Sequence, residues 1–142
     1  MGDAKEIEPK VIAKKILETT MKDSSGKKGV DKQMLALALG IQEGDDFACY
    51  EELLTDNAHA VRLMLKKARS TLINHMPDEL EQLAVQLSHG AMKLGAQAMF
   101  GLCINLQSWA RRKDWQEATQ LMNELELEYL RVRDDLENLQ SL

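Results

Sequence analysis

The segment from Leu80 to Ala96, which reads LEQLAVQLSHGAMKLGA, constrains the fold of this chain more than any other. An α-helix turns by roughly 100° per residue, and this places five apolar residues of the segment within about 80° of one another around the helix axis. The residues on this stripe are Leu80, Leu83, Leu87, Ala91 and Leu94. Such a stripe predicts a helix that packs against a hydrophobic core.

The opposite side of the same helix centres on Val85, with Glu81, Ser88, His89 and Met92 as its near neighbours. We expect this side to face solvent, yet it carries apolar residues and a histidine where polar residues are usual. An exposed patch of this kind is typical of a surface that binds a partner.

The rest of the chain has the composition of a helical bundle. Hydrophobic residues make up 44% of the 142 residues and charged residues 29%, but only 4% are aromatic and two are proline. This length predicts a single domain. Abundant Leu, Ala, Met, Glu, Gln and Lys with few prolines favour helices throughout.

Residues 1–30 are predicted to form a separate N-terminal unit, with the bundle in residues 31–142. Five apolar residues repeat at helical spacing in the N-terminal unit: Ile7, Val11, Ile12, Ile16 and Leu17. The polar, glycine-containing run from Asp23 to Gly29 then predicts a flexible linker. The pattern is compatible with packing on the bundle, with partner binding and with partial disorder.

Capping and turn residues mark the expected helices. Asp31 and Gly40 bracket a short helix. Asp45 or Asp46 is a candidate cap for the next, which the polar run 55–57 is expected to kink or restart before it continues to about Asn74. The remaining helices are expected to run from Pro77 to Gly95, over 97–112, and from Asp114 to about Leu139.

Taken together, these residues resemble the histidine-containing phosphotransfer (HPt) family. Its helices read Ala-His-x-Leu-Lys-Gly-Ser, then Leu-Gly-Ala, Leu-x-x-Leu-Cys-x-x-Leu and Gly-Asp-x-x-x-Ala. The resemblance covers about residues 45 to 140, and its second half fits without gaps. The matching residues are Leu94-Gly95-Ala96, Met99, Leu102-Cys103, Leu106, Asp114, Ala118 and Leu125-Glu126-x-Glu128.

Counting back from Leu94 puts the family's phosphorylated histidine on Val85 and its alanine on Ala84. The family's lysine and glycine fall on Ser88 and His89. The resemblance therefore implies an all-α, antiparallel four-helix bundle with additional N-terminal helices, in a degenerate member whose acceptor histidine is missing.

The resemblance also implies a function in a two-component phosphorelay. The chain is expected to bind a response-regulator receiver domain or a histidine kinase without carrying phosphate, and not to be an enzyme. The residues expected to bind the partner are Val85, Ser88, His89, Met92 and Lys93.

Two other interpretations remain. His89 lies one turn beyond Val85 and only about 40° round the helix, so it is a candidate shifted acceptor. Gly90 would then give access and Lys93 would supply the cation. The third interpretation is a helical adaptor or chaperone unrelated to phosphorelays, because a bundle alone does not fix function.

No cofactor or metal site is expected. His59 and His75 are interpreted as structural or solvated, and Trp109 and Trp115 as residues that lock the last two helices together. The acidic last helix is interpreted as a solvated face because no Glu-x-x-His pair occurs in it. Its acidic residues are Glu124, Glu126, Glu128, Asp134, Asp135 and Glu137.

Net charge and cysteine usage limit the classes of partner and the cellular compartment that we expect. A net charge of −5 argues against nucleic-acid binding. Cys49 and Cys103 lie in apolar helical patterns and are expected to be reduced core residues. The N-terminus shows no apolar signal core, and no run approaches the roughly 18 apolar residues of a membrane span. We therefore expect a cytoplasmic protein that does not bind membranes.

Overall fold

A computed structural model describes residues 27–41 and 47–139 of the chain. All regular secondary structure in these ranges is helical. A short 3₁₀ segment, Phe47–Tyr50, accompanies five α-helices: α1 (Lys32–Leu39), α2 (Glu51–Ile73), α3 (Pro77–Lys93), α4 (Gln97–Arg111) and α5 (Trp115–Glu137). The expected N-terminal helix and the candidate caps Asp45 and Asp46 lie outside the described residues.

The capping residues act as their sequence predicts. The Asp31 carboxylate accepts hydrogen bonds from the backbone N–H groups of Gln33 and Met34, at 2.9 and 3.2 Å, and Gly40 ends α1 at a φ of 70°. Asp114 caps α5 by accepting from the N–H of Glu117 at 3.1 Å. These caps fix where α1 and α5 begin.

The expected interruption of α2 at residues 55–57 is wrong, because the helix runs unbroken from Glu51 to Ile73. Leu54, Ala58 and Val61 are buried on one side of it. Thr55 and Asp56 are exposed, so their polar groups meet water without disturbing the backbone. A continuous apolar stripe outweighs three polar residues of modest helix propensity.

Helices α2 to α5 form an antiparallel four-helix bundle, which confirms the predicted fold class. Neighbours in the chain pack on each other, and α2 also packs on α5, which closes the bundle. Short turns join the four helices. The side chains at its centre include Leu65, Leu80, Leu87, Met99, Leu106, Met122 and Leu125.

Helix α1 covers the turn between α3 and α4. The backbone N–H of Asp31 donates to the carbonyl of Gly95 at 2.9 Å. Gly95 has a φ of 67°, and a Cβ there would lie 2.8 Å from the backbone of Leu35. Only glycine permits both this conformation and this close approach.

Residues 27–30, which the sequence assigns to the linker, contact the bundle. The N–H of Gly29 donates to Glu128 Oε2 at 2.6 Å, and the N–H of Val30 donates to Asp135 Oδ2 at 2.8 Å. Val30 is buried in the core. The division at residue 30 stays a prediction, but residues 27–30 are part of the packed body.

Two burial predictions are wrong. Glu128 was expected on a solvated face but is only 2% exposed. Its buried carboxylate is satisfied because it accepts hydrogen bonds from the N–H of Gly29 and, at 3.0 Å, from Arg131. Cys49 is exposed, whereas Cys103 is buried as expected. Cys49 belongs to the 3₁₀ segment, whose four residues include no buried side chain.

Among the helices in the described ranges, none combines the length and the apolarity needed to cross a membrane.

Candidate docking surface on helix α3

Helix α3 is held in the bundle by the stripe that its sequence predicts. Pro77 occupies the first turn, followed by Asp78 and Glu79, whose charges suit the positive end of the helix dipole. The inward positions of the helix and the turn after it are all buried: Leu80, Leu83, Leu87, Ala91 and Leu94. The opposite side of α3 is therefore presented on the outside of the bundle.

Val85 lies on this outer side and is partly buried, while His89 and Lys93 are exposed. Two residues that the sequence reasoning missed, Gln82 and Gln86, are also exposed and lie in the same row. We call the surface of Gln82, Val85, Gln86, His89 and Lys93 the α3 ridge. Only its valine is apolar.

Ser88 and Met92, both expected on the outer surface, are only 4% and 8% exposed, so their assignment as solvent-facing partner residues is wrong. The outward centre of α3 lies at Gln86 and His89, about 70° round from Val85. Ser88 and Met92 are displaced still further from that centre and meet the rest of the bundle.

Ser88 instead satisfies its hydroxyl within its own helix. Its Oγ donates to the carbonyl oxygen of Val85 at 2.6 Å. A buried serine in a helix interior commonly bonds a carbonyl one turn back in this way. The position that the resemblance aligns with the family's lysine is therefore closed to solvent in this chain.

An ion pair borders the ridge on the side of α4. Arg111 donates from Nη2 and Nε to Glu81 Oε1, at 2.6 and 3.0 Å. The Arg111 side chain is 67% exposed, so the pair is worth little stability. This pair was not predicted from the sequence. The antiparallel α3–α4 hairpin, which brings the start of α3 beside the end of α4, was the available signal.

His89 makes no side-chain hydrogen bond to the described part of the chain, and Lys93 stands one turn further on. Gly90 does not provide access to His89. A Cβ on Gly90 would lie 2.6 Å from Cγ2 of Val61 on α2. Gly90 therefore serves the close packing of α2 on α3, and its expected role beside a shifted acceptor is wrong.

The remaining histidines lie away from the ridge. His59 is exposed beside the groove between α2 and α5. His75 adopts a φ of 52° in the turn after α2 and stacks on Trp115, with ring centroids 4.6 Å apart. Trp115 thus joins that turn to the start of α5, while Trp109 lies under Arg112, at 5.3 Å.

The described acidic residues of α5 do not assemble a metal site. Across residues 27–41 and 47–139 no group of three or more His, Cys, Asp or Glu side chains is arranged to hold an ion. Glu128 and Asp135 bind backbone N–H groups instead, and Glu126 binds Arg69.

Neither a protein-family model nor a curated protein matches this sequence. A solved structure does match: the crystal structure of histidine-containing phosphotransfer protein B (HptB) from Pseudomonas aeruginosa PAO1, with a TM-score of 0.68 and 24% identity. The match covers 79% of this chain and 94% of that protein.

The fold is that of a histidine-containing phosphotransfer protein. In the HPt-like bundle of this chain, α3 presents a valine, two glutamines, a histidine and a lysine to solvent. Whether this surface transfers phosphate depends on its side chains and not on the fold.

Proposed function

We propose that this HPt-like chain is a pseudo-phosphotransfer signalling module. It binds the receiver domain of a response regulator, or a histidine kinase, through the α3 ridge and does not carry phosphate. Its place is in a two-component phosphorelay, where it occupies the partner's docking surface.

The observation that carries this proposal is Val85. Aligning Leu94-Gly95-Ala96 with the family pattern puts Val85 at the acceptor position, on the outer side of a helix with HPt-like packing. A valine side chain has no lone pair, so it cannot attack phosphorus. At the position aligned with the family's lysine, Ser88 is buried and supplies no cation.

The make-up of the ridge supports binding without transfer. Its one apolar side chain, Val85, is bordered by the exposed amides of Gln82 and Gln86 and by the Glu81–Arg111 pair. A small apolar centre with a polar border is the usual anatomy of a protein interface. The amides can exchange hydrogen bonds with a partner without bringing a charge into the interface.

A second candidate function is phosphotransfer through His89, and the exposure of its imidazole favours it. An imidazole nitrogen would attack the phosphorus of an aspartyl phosphate, so that a P–N bond forms as the P–O bond to the aspartate breaks. Lys93 would offset the charge of the phosphoryl oxygens. Against it, His89 occupies the family's glycine position and Gly90 opens no space beside it.

Backbone NMR of the isotope-labelled protein tests the docking surface directly. Titration with receiver domains from the same organism is expected to shift or broaden the amide signals of residues 81–93. The outer surfaces of α2 and α5 should stay unchanged. Perturbations confined to α2 and α5, or none with any receiver or kinase, would contradict the proposal.

A further inference from the structure

A cleft of about 650 Å³ opens between the first half of α2 and the end of α5. Because α3 and α4 pack on the other side of these helices, the cleft is remote from the α3 ridge. Its volume falls within the range of small-molecule sites. Nothing in the proposed docking function uses it.

The floor of the cleft is apolar. Leu54, Ala58, Leu136 and Leu139 line it. The Tyr129 hydroxyl donates to the carbonyl oxygen of Ala58 at 3.1 Å, and burial raises the pKa of this phenol above its ordinary value. The phenol is therefore neutral at physiological pH and adds no negative charge to the floor.

Two arginines stand opposite each other at one end of the cleft. Arg69 of α2 binds Asn123 and Glu126 of α5, which sets the register of the antiparallel pair. Seven residues earlier on α2, Arg62 therefore comes level with residues 130–133 of α5, where Arg133 lies. Both guanidiniums act on the Tyr129 phenol, where each opposes the effect of burial on its pKa.

These arginines are available to a ligand. Arg62 makes no ion pair or hydrogen bond with the described part of the chain. Among the described residues, Arg133 makes one ion pair, to its sequence neighbour Asp134 at 3.4 Å, with both side chains about half exposed or more. Glu51 lies towards the other end of the cleft, at the start of α2, whereas Glu137 follows Arg133 by one turn of α5 and raises the pKa of the same Tyr129 phenol.

We propose that this cleft binds a small amphipathic monoanion. Its carboxylate or sulfonate lies between Arg62 and Arg133, and its alkyl or aryl body covers Leu54, Ala58 and Leu136. Guanidinium groups bind carboxylates, and tetrahedral oxyanions such as sulfonates, through charge-assisted, often bidentate hydrogen bonds. Glu51 repels a second anionic group at the far end, and Glu137 beside Arg133 opposes a second negative charge near the arginines, so dianions bind less well than monoanions.

The test uses 1-anilinonaphthalene-8-sulfonate, a fluorescent aryl monoanion, with the full chain. We expect saturable 1:1 binding that weakens by about tenfold or more in Arg62→Gln and in Arg133→Gln, as expected for loss of a charged hydrogen bond. Lys66→Gln removes the same charge from an exposed position of α2 outside the cleft and should bind like the wild type.

Two further measurements separate the cleft from non-specific binding. The uncharged analogue, N-phenyl-1-naphthylamine, should bind the wild type more weakly than the sulfonate does. Its affinity for Arg62→Gln should equal its affinity for the wild type. If a glutamine variant loses its cooperative melting transition, Arg62→Lys and Arg133→Lys preserve the charge and should weaken binding less than tenfold.

The proposal is overturned if the sulfonate binds without saturation, or if Arg62→Gln and Arg133→Gln together leave its affinity unchanged. The proposal is also overturned if Lys66→Gln weakens sulfonate binding as much as the two cleft variants do. That result would show that binding depends on the net charge of the protein and not on the cleft. In an NMR titration with the sulfonate, perturbed amide signals that lie outside the cleft would show that the probe binds another surface, and this site would be rejected.

Discussion

The Ser88 hydroxyl donates a 2.6 Å hydrogen bond to the carbonyl oxygen of Val85, three residues back on α3. This bond joins, within one helix, the two positions that the resemblance aligns with the family's lysine and histidine. The two positions differ in their exposure to solvent, since Val85 reaches the surface and Ser88 does not.

Ser88→Lys should therefore destabilise the fold. A lysine there loses the hydroxyl's bond and must either bury its ammonium or displace the packing around it, at a cost of about 2 kcal/mol or more. Gln86→Lys, at an exposed position on the same helix, should stay within about 0.5 kcal/mol of the wild type. Urea denaturation measures both, and equal stabilities would show that Ser88 can face solvent.

Val85→Glu should separate binding from folding. Because Val85 is only partly buried, we expect the free energy of unfolding to fall by no more than about 1 kcal/mol. Receiver binding should fall much further, because an unpaired charge inside the proposed interface is costly. Gln120→Glu adds the same charge to an exposed position of α5 and should leave binding unchanged. Unchanged receiver binding by Val85→Glu would show that Val85 is not part of the interface.

The architecture of this chain could be predicted from its sequence because its signals are local. Capping by Asp31 and Asp114, Pro77 in a first turn and the leucine stripe of α3 each depend on residues within one helix. The exposure of Ser88 and Met92 could not be predicted equally well. A helix stripe gives the inward direction, but the width of the buried arc depends on how closely α2 and α4 approach α3.

Glu128 is the position where sequence reasoning failed most clearly, and it has a measurable consequence. Glu128→Ala leaves the buried N–H of Gly29 without its acceptor, so it should destabilise the fold by about 1 to 3 kcal/mol. The control Glu124→Ala changes an exposed residue one turn earlier and should have little effect. Denaturation and hydrogen exchange at the Gly29 and Val30 amides report the change. Unaltered exchange in Glu128→Ala would contradict the role of this carboxylate.

Helical spacing places Glu128 about 20° from Leu121 and about 40° from Val132, on the buried side of α5, but it does not indicate the partner that satisfies the buried carboxylate. The partner that buries it, Gly29, lies 99 residues earlier in the chain. Long-range contacts of this kind depend on the path of the backbone, which hydrophobic periodicity does not encode. The same limit applies to Cys49, whose apolar neighbours in the sequence did not indicate its exposure.

The two cysteines should differ sharply in reactivity. Cys103 is buried, and desolvation raises its pKa well above the ordinary value of a thiol, so it offers almost no thiolate to a reagent. Cys49 is exposed. An aromatic disulfide reagent at pH 8 should release one equivalent of thiolate rapidly from the native protein and two after unfolding. Cys49→Ser should abolish the rapid phase. Two rapid equivalents from the native wild type would contradict the burial of Cys103.

Phosphate transfer from a radiolabelled, phosphorylated receiver that binds the α3 ridge tests the central claim most directly. The wild type and His89→Ala should acquire no acid-labile, base-stable phosphate. Val85→His should acquire it, because the proposed alignment then puts an imidazole at the acceptor position. Label on the wild type that disappears in His89→Ala would contradict the claim that this module docks without carrying phosphate, and would assign transfer to His89.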